Sequence, residues 1–307
     1  MKTAHLYILI IALLQATNLL PATSQTVIEL DKGGAVRSKN LRDYDKALSL
    51  KQAQLDSIRY VDHITRGFNA LHDDSLRLAQ SHFEAALKLR PNAPGNHIVK
   101  QQIAKIAEAE GRIADAASLY TQILKQQPDL HAIRIERAAL NLQMRHFKES
   151  KEDCDVLLQQ SSTPIDAERL YFIRASANIG LRLNNDAQRD FEHVLKLNPR
   201  HESAPIMLAL LLHDEGQANK ALTLLNLHLQ AHPESVEALM LRASFEMEQS
   251  RYEAARADLD KAITLAPDQP ELYLERANCF DKLKNKERAR RDRLKAHTLK
   301  TLHPARR

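Results

Sequence analysis

The sequence predicts an all-α fold built from a series of similar helix-turn-helix units. Glycine occurs only 7 times in 307 residues, too rarely for a turn-rich β fold or for the phosphate-binding turns of nucleotide folds. Ala, Leu, Lys, Arg, Gln and Glu are abundant, and these residues favour helices. Six prolines recur at intervals of 34 to 37 residues, which indicates internal repeats: Pro91, Pro128, Pro164, Pro199, Pro233 and Pro267.

The first residues of the chain have the pattern of a secretory signal peptide. Lys2 precedes a nine-residue apolar run, Leu6–Leu14, and small residues follow at Ala22–Ser24, where signal peptidase cleaves. The alternative is a retained membrane anchor, but nine apolar residues are too few for a hydrocarbon core of ~30 Å. We therefore assign residues 1–25 to a signal peptide. The expected location is the periplasm or cell envelope of a Gram-negative bacterium.

A leader and a helix are expected before the repeats, so that residues 26–59 form one region. The polar stretch 26–40 contains two adjacent glycines and predicts a flexible leader. The stretch Leu41–Arg59 has a helical composition without a breaker and predicts an N-terminal capping helix. The repeats are expected to occupy residues 60–300, followed by a basic tail at 301–307.

Alignment on the prolines produces columns of similar residues. A small residue recurs in the first half of each unit: Gly67, Ala104, Ala138, Ala175, Ala209, Ala243 and Ala277. Twelve residues later a second small column follows: Ala79, Ala116, Ser150, Ala187, Ala221, Ala255 and Ala289. Four residues further is a bulky column: Phe83, Tyr120, Cys154, Phe191, Leu225, Leu259 and finally Arg293. Two helices can approach closely where small side chains face each other, and a proline ends each second helix.

These columns resemble the signature of the tetratricopeptide repeat family, most directly at Ala79-Phe83-Ala86-Pro91 and Ala187-Phe191-Pro199. The resemblance covers residues 60–300 as about seven repeats. It implies a right-handed superhelical solenoid whose first helices line a concave, protein-binding side. The family's leading tryptophan is absent, and Arg293 replaces the last bulky residue, as suits a terminal cap. Cys154 and Cys279 fall four repeats apart, too far for a disulfide, so we expect two free, buried thiols.

The residue directly before the first small column and the residue sixteen positions after it change together from repeat to repeat. Four repeats combine the two residues as Arg137 with Asp153, Arg174 with Asp190, Arg242 with Asp258, and Arg276 with Asp292. Two other repeats have apolar residues at both places: Ile103 with Leu119, and Leu208 with Leu224. A buried contact explains this exchange, because an apolar pair can replace a buried ion pair but a lone buried charge is costly. We therefore predict structural ion pairs. The alternative is a row of arginines that binds phosphate or carboxylate ligands.

The sequence contains no motif that predicts catalysis. It has no phosphate-binding glycine loop, metalloprotease motif, nucleophile elbow or zinc spacing. His228 and His232 lie one helical turn apart, but catalytic zinc needs a third protein ligand. The alternative is two unrelated histidines near a helix end. We predict no enzyme activity, no metal and no cofactor.

A ligand groove is predicted on the first helices of the central repeats, residues 131–250. The positions three before and four after the first small residue are expected to face inward, and in this region they are apolar: Ile135, Leu142, Phe172, Ile179, Ile206, Met240 and Met247. Polar residues at the equivalent places of the flanking repeats would form a rim. The alternative is that these side chains are ordinary core. The predicted function is a non-enzymatic scaffold that binds a protein or peptide of unknown identity.

An alternative function depends on the basic C-terminal segment. Residues 284–307 contain ten Lys or Arg and two acids, whereas residues 26–283 have a net negative charge. Such a segment could bind an anionic surface, either lipid headgroups or a polyanion. No aromatic residues are interleaved for base stacking, so nucleic acid is not expected. Membrane contact is expected only through this helix, and the remaining alternative is a solvated capping helix.

Overall fold

The computed structural model describes residues 38–160 and 166–302, and within these ranges the chain is all-α, as predicted. The described part contains fourteen helices and no strand: α1 (Ser38–His72), α2 (Leu76–Leu89), α3 (Asn96–Ala109), α4 (Ile113–Gln126), α5 (His131–Gln143), α6 (Phe147–Gln160), α7 (Ala167–Gly180), α8 (Asn184–Leu197), α9 (Ala204–Asp214), α10 (Ala218–Ala231), α11 (Val236–Glu248), α12 (Tyr252–Leu265), α13 (Pro270–Lys282) and α14 (Lys286–Leu302). The predicted signal peptide, the leader up to residue 37 and the tail from 303 lie outside the described residues. None of the described helices combines the length and the apolar character that a membrane span requires.

Helix α1 joins two elements that the sequence analysis separates. The predicted capping helix at 41–59 and the first helix of the first repeat form one continuous helix of 35 residues. The reason is local, because no glycine or proline occurs between residues 38 and 66, and nothing else there favours a break. The boundary predicted at residue 59 is therefore not a break in the helix.

The described residues divide into two compact units, one before and one after the boundary between residues 144 and 145. Helices α1–α5 belong to the first unit and α6–α14 to the second. In the first unit α1 packs on α2, and α3 on α4. In the second, α7 packs on α8, α9 on α10, α11 on α12, and α13 on α14. Each of these hairpins corresponds to one predicted repeat.

Seven turns between consecutive helices share one backbone conformation. Each has a single residue in the left-handed region, with φ between 55° and 77°: Asp74, Gly111, Arg145, Arg182, Gly216, Ser250 and Lys284. In six of these turns the next residue donates its N–H to the carbonyl five residues earlier at 2.8 Å, which caps the end of the first helix. Gly111 and Gly216 adopt this conformation without the steric penalty that a side chain imposes.

The aligned columns are the buried contacts of the hairpins. All seven members of the second small column have no exposed surface, and the bulky residues from Phe83 to Leu259 are at most 1% exposed. At Gly67 an added Cβ would lie 2.5 Å from the ring of Phe83, so a side chain there could fit only if that ring moved. The columns therefore describe the core of each hairpin.

Both cysteines are free and buried, as predicted. Burial raises the pKa of the Cys154 thiol to about 12, and burial also raises the pKa of the Cys279 thiol. The Sγ atom of Cys279 donates to the carbonyl of Tyr252 at 3.0 Å. A thiol that stays protonated is a poor nucleophile, so the two cysteines are packing residues.

The last helix, α14, is docked along one side. Ala289, Ala296 and Leu299 are buried, and Leu299 and Ala296 pack with Tyr273 of α13. Arg293, the charged member of the bulky column, is exposed and forms an ion pair with Asp281. This arrangement agrees with the predicted role of the last repeat as a cap.

Candidate functional site

The second unit contains an open cavity of about 510 Å³ on its first helices. Helices α9, α11 and α13 contribute the lining, and α11 contacts both of the others. Each of the three begins at a suitable residue: Pro205 and Pro270 lie in the first turns of α9 and α13, and the Ser235 side chain accepts a hydrogen bond from the Ala238 N–H at 3.3 Å. The volume is in the range of sites that bind small ligands or peptide side chains.

The cavity lining combines apolar and polar residues. The apolar part consists of Ile206 and Leu210 of α9 and Val236, Met240 and Leu241 of α11. Leu210 is 37% exposed, although it is a large hydrophobic residue. Four residues complete the lining and are all exposed: Glu237, Ser244, Gln269 and Glu275.

One face of α11 contributes four of the lining residues. Glu237, Met240, Leu241 and Ser244 follow the spacing i, i+3, i+4 and i+7, which places them along one side of a helix. On α9, Ile206 and Leu210 are likewise one turn apart. The same side of neighbouring first helices therefore faces the cavity, as the repeat resemblance implies.

Two of the seven predicted groove residues, Ile206 and Met240, line this cavity. Phe172 is half-buried, with its ring stacked on His201 at 4.9 Å and edge-on to Phe191 at 5.8 Å. Ile179 packs against the main core of the second unit. Phe172 and Ile179 are therefore not part of the cavity lining.

The other predicted groove residues also lie away from the cavity. Met247 packs against a small core cluster that includes Ala243, Leu259 and Cys279. Ile135 is buried and Leu142 is half-buried, and both belong to the first unit. The cavity therefore includes residues from 206 to 275, further along the chain than the predicted region 131–250. The position four after the small residue lies in the last turn of each first helix.

Sequence reasoning missed Leu210, Val236, Leu241 and the polar lining residues. Leu210 could have been found, because it follows Ile206 by one helical turn and is a large apolar residue on the same face. Leu241 lies next to Met240, but no column of the alignment marks it as accessible. Side-chain exposure depends on the neighbouring helices, which the sequence pattern does not contain.

A second contact joins α9 to α11 outside the cavity lining. The His213 and Phe245 rings stack with centroids 3.8 Å apart and almost parallel planes, and His213 Nε2 lies 3.0 Å from Glu248. A stacked ring and a charged partner both favour a fixed orientation of the imidazole. This contact holds two of the cavity-lining helices together.

Three predicted arginine–aspartate pairs have bidentate geometry. Arg242 donates to both carboxylate oxygens of Asp258, at 2.7 and 2.6 Å. The corresponding distances are 2.9 and 2.7 Å for Arg174 with Asp190, and 2.8 Å twice for Arg276 with Asp292. The hydrogen bonds to these aspartates raise the pKa of all three guanidinium groups. The arginines are occupied by neighbouring side chains.

Two other arginines that directly precede a first small residue, Arg66 and Arg137, have different contacts. Arg66 is exposed and pairs with Asp62 one turn away, while His82, sixteen residues on, lies 3.1 Å from His63 between the Nδ1 atoms. Arg137 donates to Thr121 at 3.3 Å. Its predicted partner belongs to the other compact unit, so that pair stays a prediction.

The two histidines considered for a metal lie side by side. The His228 and His232 rings stack at 4.8 Å, and His232 Nε2 lies 3.2 Å from the carbonyl of Arg200. His228 is 6% exposed, and burial lowers its pKa, so the ring is neutral at pH 7. Within the ranges that the structure describes, no three His, Cys, Asp or Glu residues are grouped to hold a metal.

Comparisons with known proteins agree with the repeat pattern. A family model described as tetratricopeptide repeat matches residues 206–270 and 240–298, which include the cavity. A tetratricopeptide repeat protein from Parabacteroides merdae has a similar structure, with a TM-score of 0.64 and 22% identity over 78% of this chain and 93% of that one. PilF of Pseudomonas aeruginosa has a TM-score of 0.54 and 17% identity over 73% of this chain and 97% of its own.

Two curated relatives are similar in sequence. Human protein O-mannosyl-transferase TMTC3 is 26% identical over 57% of this chain and 20% of its own length. Mouse RNA polymerase II-associated protein 3 is 24% identical over 48% of this chain and 21% of its own length. The alignments thus span about a fifth of each relative.

Proposed function

We propose that this chain, a tetratricopeptide-repeat protein, is a non-enzymatic scaffold that binds a protein or peptide partner in the cavity of α9, α11 and α13. Helical repeat solenoids present extended surfaces to partners. The observation that carries the proposal is the lining of this cavity, in which Leu210 and Met240 are accessible apolar residues. Apolar side chains that remain open to solvent and are surrounded by polar residues are typical of interaction sites.

The proposal includes no transferase activity. The similarity to TMTC3 covers a fifth of that protein, and the sequence contains no catalytic motif. For its location, we propose export to the periplasm or cell envelope, because residues 1–25 have the pattern of a signal peptide.

Peptide selection tests the binding proposal. A displayed library of random peptides is selected against the purified chain, and the affinities of the enriched peptides are measured by fluorescence anisotropy. We expect Leu210→Glu and Met240→Glu to weaken this binding by at least about tenfold, because each places a charge at an apolar contact. Leu227→Glu is the matched control, since Leu227 is 58% exposed and outside the cavity.

Two results would contradict the proposal. One is a selection that enriches no peptide over a heat-unfolded sample of the chain. The other is binding that the cavity variants and Leu227→Glu reduce equally. Circular dichroism of each variant establishes that it remains folded.

A second candidate function is binding to an anionic surface through α14. Its inner side is docked, and the rest of the helix carries seven exposed basic residues: Lys286, Arg288, Arg290, Arg291, Arg293, Lys295 and Lys300. Leu294, among them, is 67% exposed. A basic helix face with an exposed leucine fits the interface of an anionic membrane or a polyanion.

Vesicle co-sedimentation tests this second function. We expect binding to phosphatidylglycerol vesicles but not to phosphatidylcholine vesicles, with loss of binding from about 0.05 to about 0.5 M salt as the charges are screened. Arg290→Glu with Lys295→Glu should abolish it. The control, Lys220→Glu with Lys261→Glu, reverses two exposed charges on α10 and α12 and should bind normally. Salt-insensitive binding, or equal loss in both variants, would exclude this function.

A further inference from the structure

The cavity of α9, α11 and α13 is acidic as well as apolar. Glu237 of α11 and Glu275 of α13 belong to its lining, and no lysine, arginine or histidine does. Both carboxylates are exposed, and in the part of the chain that the structure describes neither takes part in an ion pair. The cavity therefore offers two negative charges beside an accessible apolar surface.

Four other carboxylates of these helices and of their neighbours lie against a basic side chain. Glu248 of α11 lies against His213, and Asp281 of α13 pairs with Arg293. Asp258 and Asp292, on the second helices behind them, hold Arg242 and Arg276. Glu237 and Glu275 differ from these four carboxylates, because neither forms an ion pair within the described residues.

A contribution to the stability of its own helix can explain the presence of only one of the two glutamates. Glu237 lies in the first turn of α11, where the partial positive charge of the helix N-terminus stabilises an acid. Glu275 is in the middle of α13, so it has no such role. Glu275 is therefore the more informative of the two.

We infer that the occupant of this cavity is a peptide segment that combines an aliphatic side chain with a nearby lysine or arginine. The aliphatic side chain packs against Leu210, Met240 and Leu241, while the cation lies near Glu237 and Glu275. Complementary charges around an apolar contact determine which partner binds and in which register. This inference rests on the proposed binding function and specifies the chemistry of the partner.

Three designed peptide sets of equal length and identical leucine positions test the inference. They differ only at the remaining positions, which are lysine in the first set, glutamine in the second and glutamate in the third. Binding to the full chain is measured by fluorescence anisotropy at low and moderate salt. We expect the leucine–lysine peptides to bind at least about tenfold more tightly than the leucine–glutamate peptides, with a difference that decreases as salt is added.

Variants of the two carboxylates localise the effect. Glu237→Gln with Glu275→Gln should weaken leucine–lysine binding by about tenfold, as expected for two partly exposed ion pairs, and leave leucine–glutamine binding unchanged. The matched control is Glu149→Gln with Glu253→Gln, which removes the same charge from exposed first-turn positions of α6 and α12. This control should bind all three sets as the natural chain does.

The outcomes separate this inference from the proposed function. In one outcome, the glutamine or glutamate peptides bind as tightly as the lysine peptides or more tightly, and Met240→Glu still weakens that binding. This result would refute a cationic partner and would support the apolar binding site. Equal losses in the cavity and control variants would show nonspecific attraction and overturn the inference. Failure of all three sets to bind would overturn both.

Discussion

Replacing Asp258 with leucine should lower the free energy of unfolding by about 3 kcal/mol, because it leaves Arg242 without its buried partner. Asp258 is 7% exposed and accepts two hydrogen bonds from the guanidinium group. The arginine would keep one contact, to Asn226 at 2.6 Å. A charge that is removed from water and only partly compensated is costly.

Replacing both members of the pair should recover most of this loss. The repeat before it has leucine at both equivalent positions, Leu208 and Leu224, and Leu208 is 5% exposed and belongs to the main core of the second unit. Arg242→Leu with Asp258→Leu recreates that combination, and apolar pairs can replace buried ion pairs without loss of stability. Urea unfolding of the natural chain, both single variants and the double variant gives the coupling energy. A double variant as unstable as the sum of the single ones would refute the paired role.

Contacts within a hairpin could be predicted because the sequence repeats them. Each small or bulky column contains one residue from each of seven repeats. A single exception, such as Arg293, can therefore be recognised as a departure from the pattern. The Arg/Asp and Leu/Leu exchange reveals a contact in the same way, since both residues change together. Gly111 and Gly216 likewise mark the turns, although five other turns adopt the same conformation with a side chain present.

The location of the cavity could not be predicted because it depends on contacts between hairpins. Met240 and Met247 are seven residues apart on one helix face and each packs against a core cluster, but Met240 also lines the cavity and Met247 does not. The length of α1 could not be predicted either, because the boundary between the capping segment and the first repeat does not require the helix to end there. The docking of α14 could not be predicted for a related reason. Its three buried apolar residues lie in a segment that consists mainly of charged residues.

Replacing Phe191 with alanine should destabilise the second unit by about 3–5 kcal/mol, since it removes a large buried side chain and leaves a cavity. Phe191 has no exposed surface and packs with Ala175, Ala187 and Val194 in the main core. Arg293→Ala is the matched control, because Arg293 occupies the same column in the last repeat but is exposed; its cost should be below about 0.5 kcal/mol.

The loss at Phe191 should also be local. In a repeat array each hairpin is stabilised mainly by its neighbours, so hydrogen exchange should accelerate most in α7 and α8 and least in α13 and α14. Chemical unfolding measures the size of the effect, and mass spectrometry of exchanged amides measures its distribution. An equal cost for Arg293→Ala would contradict the assignment of this column to the core of each hairpin. Uniform acceleration over α6–α14 would instead show that the second unit unfolds as one cooperative block, in which the stability of a hairpin is shared along the whole array.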